Sequence, residues 1–78
     1  MEKIMEPFGN RLKALRKAKG LKQTDMALLL ECTDRHYQRM EYGLVNVPSL
    51  TLLKLADYFE VSTDFLLGRD IPSHTAQR

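Results

Sequence analysis

Apolar side chains in this chain recur at three- and four-residue spacings, the period of helices buried along one face. They nowhere alternate long enough to predict a strand. Phe8, Leu12 and Leu15 open the pattern, with Arg11, Lys13, Arg16, Lys17 and Lys19 between and beside them, which predicts an amphipathic helix over residues 7–19. Pro7 suits its first turn, where no backbone donor is needed, and Gly20 suits its end. Met26, Ala27 and Leu30 mark a second, short helix over 23–30, with acidic Asp25 in the first turn, where the helix dipole favours it. Thr33 offers a hydroxyl cap to a third helix, in which Tyr37 and Met40 face inward before Gly43 stops it. Residues 44–48 read as a loop. Ser49 is the expected cap of a fourth helix, with Leu52, Leu53, Ala56 and Phe59 inward and an end near Glu60. Ser62 caps a very short fifth helix carrying Phe65 and Leu66, and Gly68 is its left-handed stop.

The expectation is an all-α, five-helix domain over residues 8–68, with an N-terminal extension over 1–7 and a polar tail over 69–78. At 78 residues and 44% apolar side chains, the chain supplies one hydrophobic core and not two. So small a domain buries only roughly 60% of its unfolded surface, so a partner would add stability. The single Cys32 cannot form an internal disulfide, and no Cys or His cluster has zinc-ligand spacing. The longest apolar run, 26–30, is far short of the roughly 20 residues of a membrane span. The acidic N-terminus lacks a signal-peptide core, so a cytoplasmic location is expected. No internal repeat stands out.

Charge changes the picture by its distribution more than by its sum of +2. Residues 1–40 hold nine Lys or Arg against five Asp or Glu, a balance of +4, whereas residues 41–78 hold three against five, a balance of −2. The basic half can meet phosphate while the acidic half stays free for a protein. A solvated basic helix face would give the same charge count.

The informative unit spans 23–42. Its short link, Glu31-Cys32-Thr33, predicts two helices that cross steeply, leaving the second one projecting. Ala27 is small where they approach, and Leu30, Tyr37 and Met40 supply inner contacts. The outer arc then carries Asp34, Arg35, Gln38, Arg39 and Tyr42, with His36 at its margin. Arg can bind guanine O6 and N7 with two hydrogen bonds, and Gln can do the same with adenine N6 and N7, so the arc suits major-groove readout. No nucleophile, base and orienting group occur together, so an enzyme is not expected. His36 and His74 read as surface histidines, and neither a metal site nor a cofactor is expected. Cys32 reads as a small core residue.

The stretch 11–27, which includes Leu12-Lys13-Ala14-Leu15-Arg16 and Leu21-Lys22-Gln23-Thr24-Asp25-Met26-Ala27, resembles the opening of the phage repressor and Cro (XRE) family of helix-turn-helix regulators. Tyr37-Gln38-Arg39-Met40-Glu41-Tyr42-Gly43, then 48–59 and 61–68, follow the same family's pattern in order, so the likeness covers almost all of 8–68. The resemblance implies a lambda-repressor-like fold and a transcriptional regulator, in the first place a repressor, that binds double-stranded operator DNA as a homodimer. It implies that Gln23 binds a phosphate and braces the first side chain of the recognition helix, that Asp34, Arg35, Gln38 and Arg39 read bases with His36 beside them, and that Thr33 and Asn46 lie near the DNA backbone. Arg16 and Glu41 match a family salt bridge and are structural by the same token. The dimeric habit of the family, together with apolar side chains near the chain end, points to Val61, Phe65 and Leu66 as the interface.

Two residues depart from the pattern. Glu31 stands where the turn usually has Gly, and a left-handed conformation there costs on the order of 1 kcal/mol. Asp34 places a negative charge at the DNA-facing tip, where it either caps the helix beside Thr33 or accepts a hydrogen bond from cytosine N4. A protein-binding module of the same fold, or an antitoxin that binds both DNA and a toxin, are the alternative functions.

Overall fold

The structure, a computed structural model, describes residues 5–68. These form five helices: α1 (Glu6–Ala18), α2 (Gln23–Leu30), α3 (Asp34–Glu41), α4 (Ser49–Phe59) and α5 (Thr63–Leu66). Helix α3 packs on α1 and α2, and α5 packs on α1 and α4. Every helix sends at least one fully buried side chain to a shared core: Phe8 and Leu12 from α1, Met26 from α2, Tyr37 from α3, Leu55 from α4 and Leu66 from α5. The fold is all-α, as the apolar period predicts. Among the described residues, no helix is long and apolar enough to cross a membrane.

The helix ends follow from local chemistry. Thr33 Oγ1 accepts a hydrogen bond from the backbone N–H of His36 at 3.0 Å, so the cap of α3 is Thr33's, while Asp34 lies exposed in the first turn. Asp25 reaches back to the backbone N–H of Lys22 at 2.8 Å and satisfies a donor at the start of α2.

Three expectations are corrected. The packed unit begins before residue 8, because α1 includes Glu6 and Pro7 and the backbone N–H of Met5 donates to the carbonyl of Gly43 at 3.1 Å. Ser49 is the first residue of α4 and makes no cap hydrogen bond; Pro48 occupies the cap position. On α4, Leu53 is half-exposed and Leu55 is fully buried, because the stripe through Leu52, Ala56 and Phe59 passes through position 55, with 53 to one side. The polar tail expected over 69–78, which includes His74, lies outside the described residues, as do residues 1–4.

The fold also repeats one device that the sequence conceals. Glu31 and Glu60 both adopt φ 57° and ψ 45°, the left-handed conformation. The N–H of Cys32 donates to the carbonyl of Ala27, and that of Val61 to Ala56, each at 3.0 Å. Ser62 Oγ then caps α5 through the N–H of Phe65 at 3.0 Å, as Thr33 caps α3. The α2–α3 and α4–α5 links are therefore the same backbone turn. They share only the Ala, the Glu and a terminal hydroxyl in corresponding places, and the likeness lies in dihedral angles. Because both left-handed positions carry a side chain, Glu31→Gly and Glu60→Gly should each stabilise the domain by about 1 kcal/mol. Denaturant unfolding should show a higher midpoint at unchanged slope. No gain at either site would mean that the glutamates hold their turns by contacts of their own.

Candidate nucleic-acid interface

Helix α3 divides cleanly by solvent access. Tyr37, Met40 and Glu41 are buried; Asp34, Arg35, His36 and Gln38 are exposed, and Arg39 is half-buried. Arg35, Gln38 and Arg39 thus share one outward arc, with exposed Tyr42 beyond them at the helix end. His36 stands at the margin of the arc, beside a shallow cleft that it lines with Leu30, Cys32, Met40, Pro48 and Thr51. Thr33 and Asn46 are exposed, before and after the helix respectively. The Thr33 oxygen is occupied as an acceptor, but its hydroxyl proton remains a donor suited to phosphate.

Beneath the arc lies a buried polar network centred on Glu41. Arg16 Nε donates to Glu41 Oε2 at 2.5 Å and its Nη2 to Oε1 at 3.2 Å, a two-pronged pair with side chains 10% and 1% exposed. The third prong of Arg16, Nη1, donates to the carbonyl of Leu21 at 2.9 Å, tying in the link before α2. Tyr37 donates its hydroxyl to Oε2 at 2.5 Å, and Gln23 donates its side-chain amide to Oε1 at 3.1 Å. Among the described residues, no buried side-chain nitrogen or oxygen is left without a partner. Such completeness matters, because a half-satisfied buried ion pair is costly.

Burial pushes the Glu41 carboxyl up, but hydrogen bonds from Arg16, Tyr37 and Gln23 outweigh it and hold the group below its ordinary value. The hydrogen bond to Glu41 raises Arg16 further, against the opposing effect of burial. Burial, then the bond to Glu41, pushes the Tyr37 hydroxyl far above the usual phenol range, so it stays a donor. Since Glu41 titrates lower when folded than unfolded, its contribution is complete above the ordinary carboxylate range and is lost as pH falls through the depressed value. The thermal midpoint should hold from neutrality to about pH 5 and fall below about pH 4, with a shallower fall in Glu41→Gln. An equal acid-side fall in both proteins would remove Glu41 as the responsible group.

A second constraint on α3 is backbone on backbone. Gly9, the fourth residue of α1, faces the end of α3, where an added Cβ would collide with the Glu41 carbonyl oxygen and lie 3.0 Å from the Gly43 nitrogen. Gly43, at φ 75°, would in turn place a Cβ 2.7 Å from Glu6 Cα. The two glycines let α1 and the end of α3 approach closely enough for the Arg16 fork to reach Glu41.

The structure separates the expected interface residues. Leu66 is 0% exposed and belongs to the core of the single chain, so it has no surface to offer a partner. Its neighbour Phe65 is 36% exposed, with the Arg11 guanidinium 4.7 Å from the ring centroid, and Val61 is half-buried against the core. Burial raises the thiol pKa of Cys32. Among the described residues, no group of three or more His, Cys, Asp or Glu is placed to hold a metal ion.

Sequence reasoning placed Tyr37 as an apolar contact and Gln23 as a DNA ligand, and missed that both donate to Glu41. The i, i+4 spacing of Tyr37 and Glu41 was an available signal. Gly9 was missed too, although a glycine inside a helix, about 1 kcal/mol worse than Ala there, points to a close approach.

Two short helices joined through a left-handed turn, the second exposed along one face and braced by α1, define a helix-turn-helix domain. The chain belongs to the helix-turn-helix family, whose model matches residues 12–66, in agreement with the Cro and phage-repressor resemblance. It is 45% identical over 60 residues to the SPbeta prophage-derived HTH-type transcriptional regulator YonR of Bacillus subtilis (strain 168), a match covering 77% of this chain and 56% of the relative. To the HTH-type transcriptional regulator ImmR of the same organism it is 37% identical over 63 residues, covering 81% of this chain and 50% of the relative. The chain therefore spans about half the length of these curated relatives. No solved structure matches it significantly.

Proposed function

We propose that this chain is a sequence-specific, DNA-binding transcriptional regulator, a repressor, that reads operator DNA in the major groove as a homodimer in the cytoplasm. The observation that carries this reading is the shared outward arc of Arg35, Gln38 and Arg39 on a helix whose opposite face is locked into the core. In this reading Arg35, Gln38 and Arg39 contact base edges, and Thr33, Asn46 and the start of α2 at Gln23 contact phosphates. Asp34 and His36 lie at the edge of the contact. The names of the relatives, both HTH-type transcriptional regulators, support it.

The dimer is assigned to the 61–67 surface, through Phe65, Leu67 and the exposed part of Val61. Phe65 and Leu67 are each 36% exposed there. Two copies would then address half-sites about 34 Å apart, one turn of DNA. A monomer by sedimentation, both free and on selected DNA, would remove the dimer.

Selection of sites from a random duplex pool, followed by affinity measurements, tests the main reading. Arg35→Ala should weaken binding to the selected site by about 1–3 kcal/mol and relax preference at one base pair. Log affinity should fall with log salt at a slope of about −0.9 for each phosphate neutralised. Equal losses on selected and random DNA would contradict base reading by Arg35. No retention of DNA even at low salt would favour a protein-binding module.

A further inference from the structure

The four hydrogen bonds to Glu41 come from three helices. Arg16 on α1 holds both carboxylate oxygens in its fork, Tyr37, one turn earlier on α3, takes Oε2, and Gln23, the first residue of α2, takes Oε1. An ionised carboxylate offers about four acceptor positions, so these donors use the whole group. Its plane and position are thereby set by residues that have no surface on the outward arc.

This has a consequence for Gln23. A carboxylate only accepts hydrogen bonds, so the amide must present its NH2 end to Glu41, and the alternative flip would set two acceptors against each other. One N–H of the half-buried Gln23 is thus spent within the protein, while its second N–H and its carbonyl oxygen stay available at the α2 N-terminus. A glutamine free in solvent would have to be immobilised from many rotamers on binding. Gln23 is already ordered.

We infer that Tyr37 and Glu41 are positioning residues for DNA binding, which fix the flip and direction of the Gln23 amide so that its free N–H is aimed before a phosphate arrives. The inference rests on the phosphate role proposed for Gln23. Tyr37 touches no DNA in this scheme and acts through Glu41 on Gln23.

A double-mutant cycle on a duplex selected from a random pool tests it, with the fraction of folded protein checked by circular dichroism for each variant. Tyr37→Phe removes one oxygen and keeps the buried ring. It should weaken DNA binding roughly 5-fold in the wild-type background and 2-fold or less in the Gln23→Ala background. Equal losses in both backgrounds, or none in either, would overturn the relay while leaving the phosphate contact standing. Gln23→Ala that binds as well as wild type would overturn the phosphate role itself, and the relay with it.

The unaltered protein supplies a second test that does not depend on how any variant folds. In NMR spectra, one side-chain amide proton of Gln23 should keep the shift of its bond to Glu41 when duplex is added, while the other moves. Movement of both protons together, showing that DNA breaks the bond to Glu41, would overturn the inference.

Discussion

Glu41→Ala should cost the domain about 3–5 kcal/mol, a large share of the roughly 5–15 kcal/mol that separates folded from unfolded domains. The substitution leaves the Arg16 guanidinium, 10% exposed, without its counter-charge. It also strands the buried Tyr37 hydroxyl and one N–H of Gln23. Most of the loss is therefore the penalty of orphaned donors, with only a part coming from the attraction removed. Arg16→Met combined with Glu41→Leu should therefore destabilise less than Glu41→Ala alone, because the pair is removed together. Denaturant unfolding of the three proteins makes the comparison. A loss below about 1 kcal/mol for Glu41→Ala would mean that Arg16 swings out to solvent at little cost.

Gly9→Ala should destabilise by about 2–3 kcal/mol, against the helix-propensity gain of about 1 kcal/mol that the same change usually brings. The sign reverses because the new Cβ meets the Glu41 carbonyl oxygen and carbon, and these are backbone atoms of a helix end that cannot turn aside. Asn10→Ala, at the exposed neighbouring position, is the control and should be neutral or mildly stabilising. Because α3 must retreat to admit the methyl group, DNA affinity should fall along with the thermal midpoint. A stabilised Gly9→Ala would show that α1 and α3 part without strain.

Both effects arise where α1 meets the end of α3, of which only the Arg16–Glu41 pair was legible, through the family resemblance. The helices themselves were plain from spacing. Phe8, Leu12 and Leu15 can share a face only if their segment is helical, as can Met26, Ala27 and Leu30, and hydroxyls at Thr33 and Ser62 marked two helix starts. Errors arose where several positions compete for one stripe. Leu53 and Leu55 are both apolar on α4, and packing against the rest of the core buries one and leaves the other half-exposed. Leu66 failed for the same reason, since an apolar residue near a chain end can serve a core or a partner, and periodicity does not distinguish the two. The repeated turn was hidden because, apart from the alanine, the glutamate and the capping hydroxyl, the two links carry different residues, and their likeness lies in the backbone angles.

The sequence by itself determined that the chain is helical, where the helix-turn-helix lies, and that Arg35, Gln38 and Arg39 share one arc, since these are properties of a single helix period and its local caps. Tertiary structure alone decided how α3 is held. The carboxylate of Glu41, the fork of Arg16, the hydroxyl of Tyr37 and the amide of Gln23 meet only after α1, α2 and α3 have packed, with Gly9 letting the backbones of α1 and the end of α3 come close. A contact across three helices leaves no periodic trace along the chain, because it depends on distances in space that spacing in sequence does not encode.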